Sequence, residues 1–338
     1  MRAMYLEKAG PADSKPLMLT SLSVPAPKPG EARLRVLACG VCHTDLHIVE
    51  GELSPPKMPI VPGHQIVGIV DEVNPLPEKP AKVKVGERVG VPWLYRSCGK
   101  CEYCLSGKEN LCNAPMFTGF SVDGGYEEYM LAHIDFLVKI PDTLSDTEAA
   151  PLLCAGIIGH RSLKVAGVRP GDTVGLFGFG ASAHLALQEA RGLGCSVQVF
   201  TRSPKHQKLA MELGATWAGR PGDVPPKLCD ECITFAPVGS VIPHALGVLK
   251  RGGAVAINAV HLDGIPEFPY SLVYWERKIS SVANATRQDA EEFMEIAGRI
   301  PIRPVVEVYP LEEANEALIA LKHGTIQGAA VLQIADRL

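Results

Sequence analysis

Between Cys98 and Cys112 the chain carries four thiols spaced C-x2-C-x2-C-x7-C. The residues between them include Lys100, Glu102 and Lys108, so this segment is too polar for all four sulfurs to be core. Four thiolates from one compact loop suit the tetrahedral shell of a zinc ion, and Gly99 and Gly107 allow the backbone to fold round it. The alternative is a set of buried free cysteines. We assign Cys98, Cys101, Cys104 and Cys112 to a structural zinc site, with no position left for water and therefore no chemistry of its own.

The 338 residues exceed the usual size of a single core, so two domains are expected. With 46% apolar and 21% charged residues, the composition is that of an ordinary soluble globular protein. A net charge of −4 gives no electrostatic reason to expect a nucleic acid or membrane partner. The start, Met1-Arg-Ala-Met-Tyr-Leu-Glu-Lys8, lacks an apolar core of signal-peptide length, and no run of about 18 apolar residues occurs. A cytoplasmic location is expected. Thiols stay reduced there, so the ten cysteines read as metal ligands, catalytic groups or packing residues rather than disulfides.

Along the chain, residues 1–150 read as all-β. Leu17–Val24, Glu31–Ala38, Ile66–Val73 and Glu87–Val91 are short apolar runs rich in β-branched residues, separated by proline-rich turns. Asn74–Lys84, with three prolines, is expected to be a surface loop. After Cys154 the character changes to alternating strands and helices. The strands are Val174–Phe177, Ser196–Thr201, Ile233–Ala236, Ala254–Ala259 and Ile279–Ala283; the helices are Ala183–Leu193, Lys205–Leu213 and Ile242–Leu249. That alternation predicts a parallel sheet wound on both sides. Two more helices, Ala290–Ala297 and Leu311–His323, precede a last strand, Ala330–Ile334, which needs a sheet to join and so returns to the first domain.

Three further residues lie far apart in sequence. Cys42 opens Cys-His-Thr-Asp45, which sets a carboxylate three residues after a thiol, suited to orienting a ligand imidazole. His64 follows Gly63 in a turn able to present its ring to a cavity, and Cys154 stands alone. Spacing alone leaves each of them open to an ordinary packing role.

Taken together, Gly40-Val-Cys-His-Thr-Asp45, Pro62-Gly-His64, the four-cysteine lobe, Asp123-Gly-Gly-Tyr-Glu-Glu-Tyr129 and Leu153-Cys-Ala-Gly156 resemble the zinc-dependent medium-chain alcohol dehydrogenases. The motifs occur in that family's order over essentially the whole chain, and the bacterial propanol-preferring branch is the most similar. The resemblance implies an α/β fold. A GroES-like β-rich catalytic domain with two zinc sites would span 1–155 and 289–338, and a doubly wound Rossmann domain 156–288. It also implies that Cys42, His64 and Cys154 hold a catalytic zinc ion with an open position, oriented through Asp45. Thr44 would hydrogen-bond the alcohol, and His47 would pass its proton to solvent by way of the cofactor ribose. Zinc then acts as a Lewis acid on the oxygen while the nicotinamide exchanges hydride with the substrate carbon.

Two departures from the family stand out. Gln65 follows the ligand histidine where Glu is common, and Ile158 stands in the run after Cys154 where many members have Thr near the nicotinamide.

Gly178-x-Gly180-Ala181-x-Ala183 follows a strand and opens a helix, the context of a dinucleotide fingerprint; a plain tight turn is the alternative. The acid that would bind an adenosine ribose is missing. From Arg191 to Met211 there is neither Asp nor, until Glu212, Glu; the second strand runs out in Thr201-Arg202-Ser203-Pro-Lys205. Arg, Ser and Lys bind a 2′-phosphate that a carboxylate would repel, so NADP(H) is expected over NAD(H). The segment Ile326-Gln-Gly328 lacks the Arg that many relatives direct at the pyrophosphate, a role His43 would partly fill.

Trp93 and Leu94 fall where relatives line the substrate pocket, and a Trp there narrows it toward small or linear substrates. Cys229 and Cys232 are read as unligated, Cys39 and Cys195 as packing residues, and His160 and His184 as structural. The expected activity is interconversion of small alcohols with aldehydes or ketones by a homo-oligomer, dimer or tetramer, with two zinc ions per subunit. A polyol or cinnamyl-type dehydrogenase, or a non-catalytic nucleotide- or metal-binding relative, are the rivals.

Overall fold

The computed structural model describes residues 1–337, which form two compact units. The first comprises Met1–Cys154, Asn284–Gly298 and Pro304 to the end of the described chain; the second comprises Ala155–Ala283 and Arg299–Arg303.

The first unit is built on a seven-stranded sheet. Its spatial order is Val306–Pro310, Ala329–Gln333, Glu31–Val41, Ile66–Asn74, Arg88–Val91 and Val138–Lys139, with Tyr129–His133 also paired to Glu31–Val41. The long strand Glu31–Val41 explains the shape of this sheet. Ala32 and Leu34 point inward while Arg33 and Arg35 alternate outward; from Val36 to Val41 every residue is buried. The strand thus passes from one-sided to two-sided burial, with register shifts near Arg33 and Val36 that bend it. Its far end meets the C-terminal strand antiparallel, Cys39 opposite Leu332, so the tail does return to the first unit. Leu34, Ile48, Ile60, Ile66, Tyr126 and Met130 are fully buried in the core here.

The first 150 residues are not all β. Cys42 starts the helix His43–Glu50, and Ser145 caps Asp146–Pro151 with a Ser-x-x-Glu box. The strand beginning at Leu17 stops at Ser21, ahead of the prolines. Arg2–Leu6, Tyr129–His133 and Val306–Pro310 are strands that apolar runs do not reveal, because their burial depends on which neighbour covers them.

The second unit holds a six-stranded, wholly parallel sheet. Its spatial order is Trp217–Gly219, Ser196–Phe200, Thr173–Phe177, Glu231–Thr234, Ala254–Ile257 and Lys278–Ser281. Numbered along the chain, this is the 3-2-1-4-5-6 order of a Rossmann fold, whose topological switch point lies between the first and fourth strands. Phe177 and Phe200 stack at 4.2 Å on adjacent strands. Cys229 and Cys232 are completely buried, and both sulfurs occupy space that exists because residue 175 is Gly; a Cβ there would meet them at 2.9 and 2.8 Å.

Candidate active site

Within the first unit, ligand atoms of Cys42, His64 and Cys154 lie within 4.8 Å of one another. Each arrives from a different element. Cys42 is the N-cap of the helix His43–Glu50, and its sulfur accepts from Thr44 N at 3.3 Å. Cys154 sits in the π-helical turn Leu152–Gly156, a local widening of the helix often found at functional sites. His64 stands at the end of the Val61–Gly63 turn, just before the strand Ile66–Asn74.

That turn is clamped by the Asp123–Tyr126 segment. Gly124 N donates to Val61 O (2.7 Å), Gly125 N to Gly63 O (3.0 Å) and Tyr126 N to Pro62 O (3.0 Å), while Asp123 Oδ1 accepts from Val61 N (3.1 Å). Backbone approach this close needs residues without Cβ: one added at Gly124 would lie 2.0 Å from Gly63 O. Gly63 itself has φ +98, a conformation that favours glycine.

Asp45 is the hub. Fully buried, it accepts from Cys42 N (Oδ2, 3.0 Å), Gly63 N (Oδ1, 3.1 Å) and His64 Nδ1 (Oδ1, 3.0 Å). Asp45 therefore accepts the Nδ1 proton of His64, and Nε2, the nitrogen left for a metal ion, faces Cys42 Sγ at 3.3 Å. At His64, burial opposes the imidazolium, but Asp45 and Cys42 outweigh it and hold the pKa well above the usual range. The hydrogen bond with Cys154 and then burial push the Cys42 thiol well above its usual range. Metal ligation takes cysteine as the thiolate, so a cation seated among these donors would displace the Cys42 thiol proton. In a tetrahedral zinc site, S and N ligands are roughly 3.3–3.8 Å apart, so the donor set and its spacing fit zinc.

The four-cysteine lobe is assembled differently. Its four sulfurs also lie within 4.8 Å of one another, with Cys101–Cys104 at 3.5 Å and Cys98–Cys104 at 3.9 Å. Backbone N–H groups point at the sulfurs: Cys98 N and Ala114 N reach Cys112 Sγ at 3.3 and 3.4 Å. Donation from Asn113 and Cys104 backbone lowers Cys101 to about 6, whereas burial pushes Cys112 up to about 11. A four-thiolate shell fits this lobe as it fits structural zinc generally.

Trp93 meets the His64 ring edge-on at 4.9 Å, stacks on Phe117 at 4.9 Å and leans toward Phe120 at 5.9 Å. Leu94, one residue on, is buried and pairs with Phe117 in the small sheet. The sequence reading missed Phe117 and Phe120; their i, i+3 spacing just after the lobe was the available signal. Thr44 lies half-buried in the first helical turn, His43 is exposed beside it, and His47 lies one turn further on, its ring 6.4 Å from that of His43. Gln65 is buried with its side chain over Gly40, where an added Cβ would lie 2.9 Å from it.

In the second unit, Gly178 has φ +88 at the end of the first strand, and a Cβ there would come within 2.8 Å of Ala236 N. Gly180 caps the helix Ala181–Gly192 without a side-chain bond, and a Cβ on it would meet nothing within 4 Å. Open backbone at the uncapped N-terminus of a 12-residue helix fits a pyrophosphate, and Ala183 is buried so that helix and sheet pack closely. Thr201 is buried at the end of the second strand, and its carbonyl accepts from Gln207 Nε2 at 2.8 Å. Ser203 caps the next helix, Pro204–Glu212, and accepts from His206 N at 3.4 Å. Arg202 and Lys205 are exposed and make no ion pair among the described residues. Ile158 is half-buried in the helix Ile157–Ala166.

Two histidines of this unit have structural partners. His160 Nδ1 lies 2.6 Å from the buried Glu189 carboxylate. Burial pulls the His184 pKa down to about 4, and its Nδ1 donates to Gly180 O at 3.3 Å.

The family described as "Alcohol dehydrogenase GroES-like domain" matches residues 28–142. The whole chain is 44% identical over 337 residues to a protein of Mycobacterium tuberculosis described as "Probable alcohol dehydrogenase AdhA", covering 99% of this chain and 97% of that one. It is 39% identical over 331 residues to an alcohol dehydrogenase of Geobacillus stearothermophilus, covering 95% and 97%. Among solved structures, a cinnamyl alcohol dehydrogenase of Sorghum bicolor superposes with a TM-score of 0.89 at 27% identity, covering 100% of this chain and 98% of that one. No helix is long and apolar enough to cross a membrane among the described residues. With its GroES-like and Rossmann units and this extent of identity, the chain belongs to the medium-chain alcohol dehydrogenase family.

Proposed function

We propose that this member is a zinc-dependent dehydrogenase that interconverts small alcohols with aldehydes or ketones and prefers NADP(H). The observation that carries this reading is the cluster of half-buried Cys42 and Cys154 with buried His64, and Asp45 fixed on the far nitrogen of His64. When bound, zinc supplies Lewis acidity toward a substrate oxygen, and the nicotinamide supplies or accepts hydride. The chain's own residues do the rest. Cys42, His64 and Cys154 would hold the ion, Asp45 orients His64, Thr44 hydrogen-bonds the substrate hydroxyl, and His47 takes up its proton. Trp93, Phe117 and Phe120 form an aromatic wall beside His64 that excludes water and orients a flat or slender substrate. Cys98, Cys101, Cys104 and Cys112 would hold a second zinc ion that braces their lobe.

The catalytic role belongs to the first unit and dinucleotide binding to the second. Gly178, Gly180, Ala181 and Ala183 would cradle the pyrophosphate. Thr201, Arg202, Ser203 and Lys205 would surround the 2′-phosphate, with Arg202 and Lys205 exposed and in no ion pair among the described residues. The test is turnover of a panel of alcohols and aldehydes, including benzaldehyde and butanal, with both cofactors on the zinc-loaded protein. No hydride transfer to any of them would sink the reading. Arg202→Asp should shift kcat/KM toward NAD(H) by tenfold or more, and an unchanged cofactor ratio would refute the clamp.

A cinnamyl-type preference is the second reading, favoured by the aromatic wall beside His64. It predicts that benzaldehyde-like substrates outperform butanal. We also propose a homo-oligomer. The edge strand Lys278–Ser281 has one neighbour in its sheet, and Tyr270, Tyr274, Trp275 and Ile279 are exposed beside or on it, a surface suited to a second copy.

A further inference from the structure

The helix His43–Glu50 ends in a left-handed cap. Gly51 has φ 84, its N–H returns to Ile48 O at 3.2 Å, and Leu53 N reaches back to His47 O at 3.0 Å. This turn folds the chain over its own last helical turn and brings the carboxylate of Glu52 onto the ring of His47, five residues earlier. Glu52 Oε2 hydrogen-bonds His47 Nδ1. The neighbouring acid Glu50 is committed elsewhere: it accepts from Ala12 N at 3.0 Å and pairs with Lys322 Nζ at 2.9 Å. Lys322 in turn pairs with Asp13. Among the described residues, the titratable groups left facing His47 are Glu52 and His43.

We propose that Glu52 is a positioning residue that holds the proton of His47 on Nδ1, leaving Nε2 as the acceptor for the proton lost by the substrate hydroxyl. This rests on the reading of His47 as proton acceptor given above. A carboxylate at one ring nitrogen fixes both the tautomer and the orientation of an imidazole. In the oxidation direction the substrate O–H bond breaks and an N–H bond forms at Nε2. Glu52 stabilises the resulting imidazolium, and Nε2 then gives its proton to water. No electrons are exchanged in this step. The His47 side chain is 26% exposed, so water can reach the ring, and that of Glu52 is 61% exposed.

Two measurements test this. Nitrogen-15 imidazole spectra of the protein, with the His47 signals assigned by their loss in His47→Gln, should report a single Nδ1–H tautomer. In Glu52→Ala the same signals should move toward a mixture of tautomers, and Glu52→Asp should restore them in part. Because solvent screens so exposed a carboxylate, kcat for alcohol oxidation near neutral pH should fall on the order of tenfold in Glu52→Ala. It should recover as pH rises and hydroxide replaces the acceptor, with cofactor KM and zinc content unchanged. If His47→Gln lowers kcat while Glu52→Ala alters neither the spectra nor kcat, the proposal fails and the role of His47 stands. If His47→Gln leaves kcat unchanged, the reading of His47 fails and takes the proposal with it. A fall in kcat that tracks lost zinc also overturns it.

Discussion

The two cysteine clusters of the first unit contain the same chemistry built in opposite ways. The lobe takes four thiols from Cys98 to Cys112, on a loop whose backbone N–H groups turn toward the sulfurs. The trio takes Cys42 from a helix cap, His64 from a clamped turn and Cys154 from a π-helical turn, and sets a buried carboxylate behind the imidazole. A local loop can saturate a metal ion with equivalent ligands. Ligands from three elements can instead leave one side open and give each donor its own environment, which chemistry at a metal requires.

That contrast can be broken most directly at Cys154. Cys154→Ser should abolish turnover while the lobe keeps its metal, so metal analysis should still return about half the wild-type content. Loss of all metal would mean that the two clusters depend on each other. The converse substitution, Cys101→Ser, should halve the metal content, lower the thermal midpoint and open residues 98–112 to proteolysis. Activity per folded molecule should stay near wild type, and a variant that folds fully yet loses turnover would give the lobe a chemical role.

The smallest expected effect lies at Glu127, the residue that follows the clamp on the His64 turn. Glu127 is buried, and burial, aided by Asp123, raises its carboxyl well above the usual range. The folded chain therefore keeps a proton that the unfolded chain releases above pH ~4.3. The sign follows: this group's share of stability is full below that pH and is lost as pH rises toward its folded value. Glu127→Gln should raise the thermal midpoint at pH 8 and leave it unchanged near pH 4. The gain should be roughly 2–4 °C for each kcal/mol relieved. A shift of equal size at both pH values would show that Glu127 acts through packing instead.

The lobe and the parallel sheet were legible in the sequence because both are written at short range. Ligand spacing in the lobe and the alternation of strand, glycine turn and helix from Thr173 onward need no distant partner for their interpretation. The strands Arg2–Leu6 and Val306–Pro310 were not legible, since neither carries a strong pattern and each forms because another strand is offered beside it. Trp93 and Leu94, read together from the sequence, have different neighbours in the fold: Trp93 packs against His64, and Leu94 pairs with Phe117 in the small sheet. Phe117, Phe120 and Glu52 were missed because ring stacking and a helix cap that folds back are consequences of geometry.

By itself, then, the sequence determined which donors exist, the lobe's ligand spacing, the order of strands and helices, and the basic, acid-free end of the second nucleotide strand. Only the tertiary structure decided that Cys42, His64 and Cys154 meet within 4.8 Å, that Asp45 holds the far nitrogen of His64, and that Glu52 lies on His47. The physical reason is range. Spacing of a few residues fixes distance through the covalent chain, whereas residues separated by a hundred positions come together only when the sheet between them has folded and buried its core.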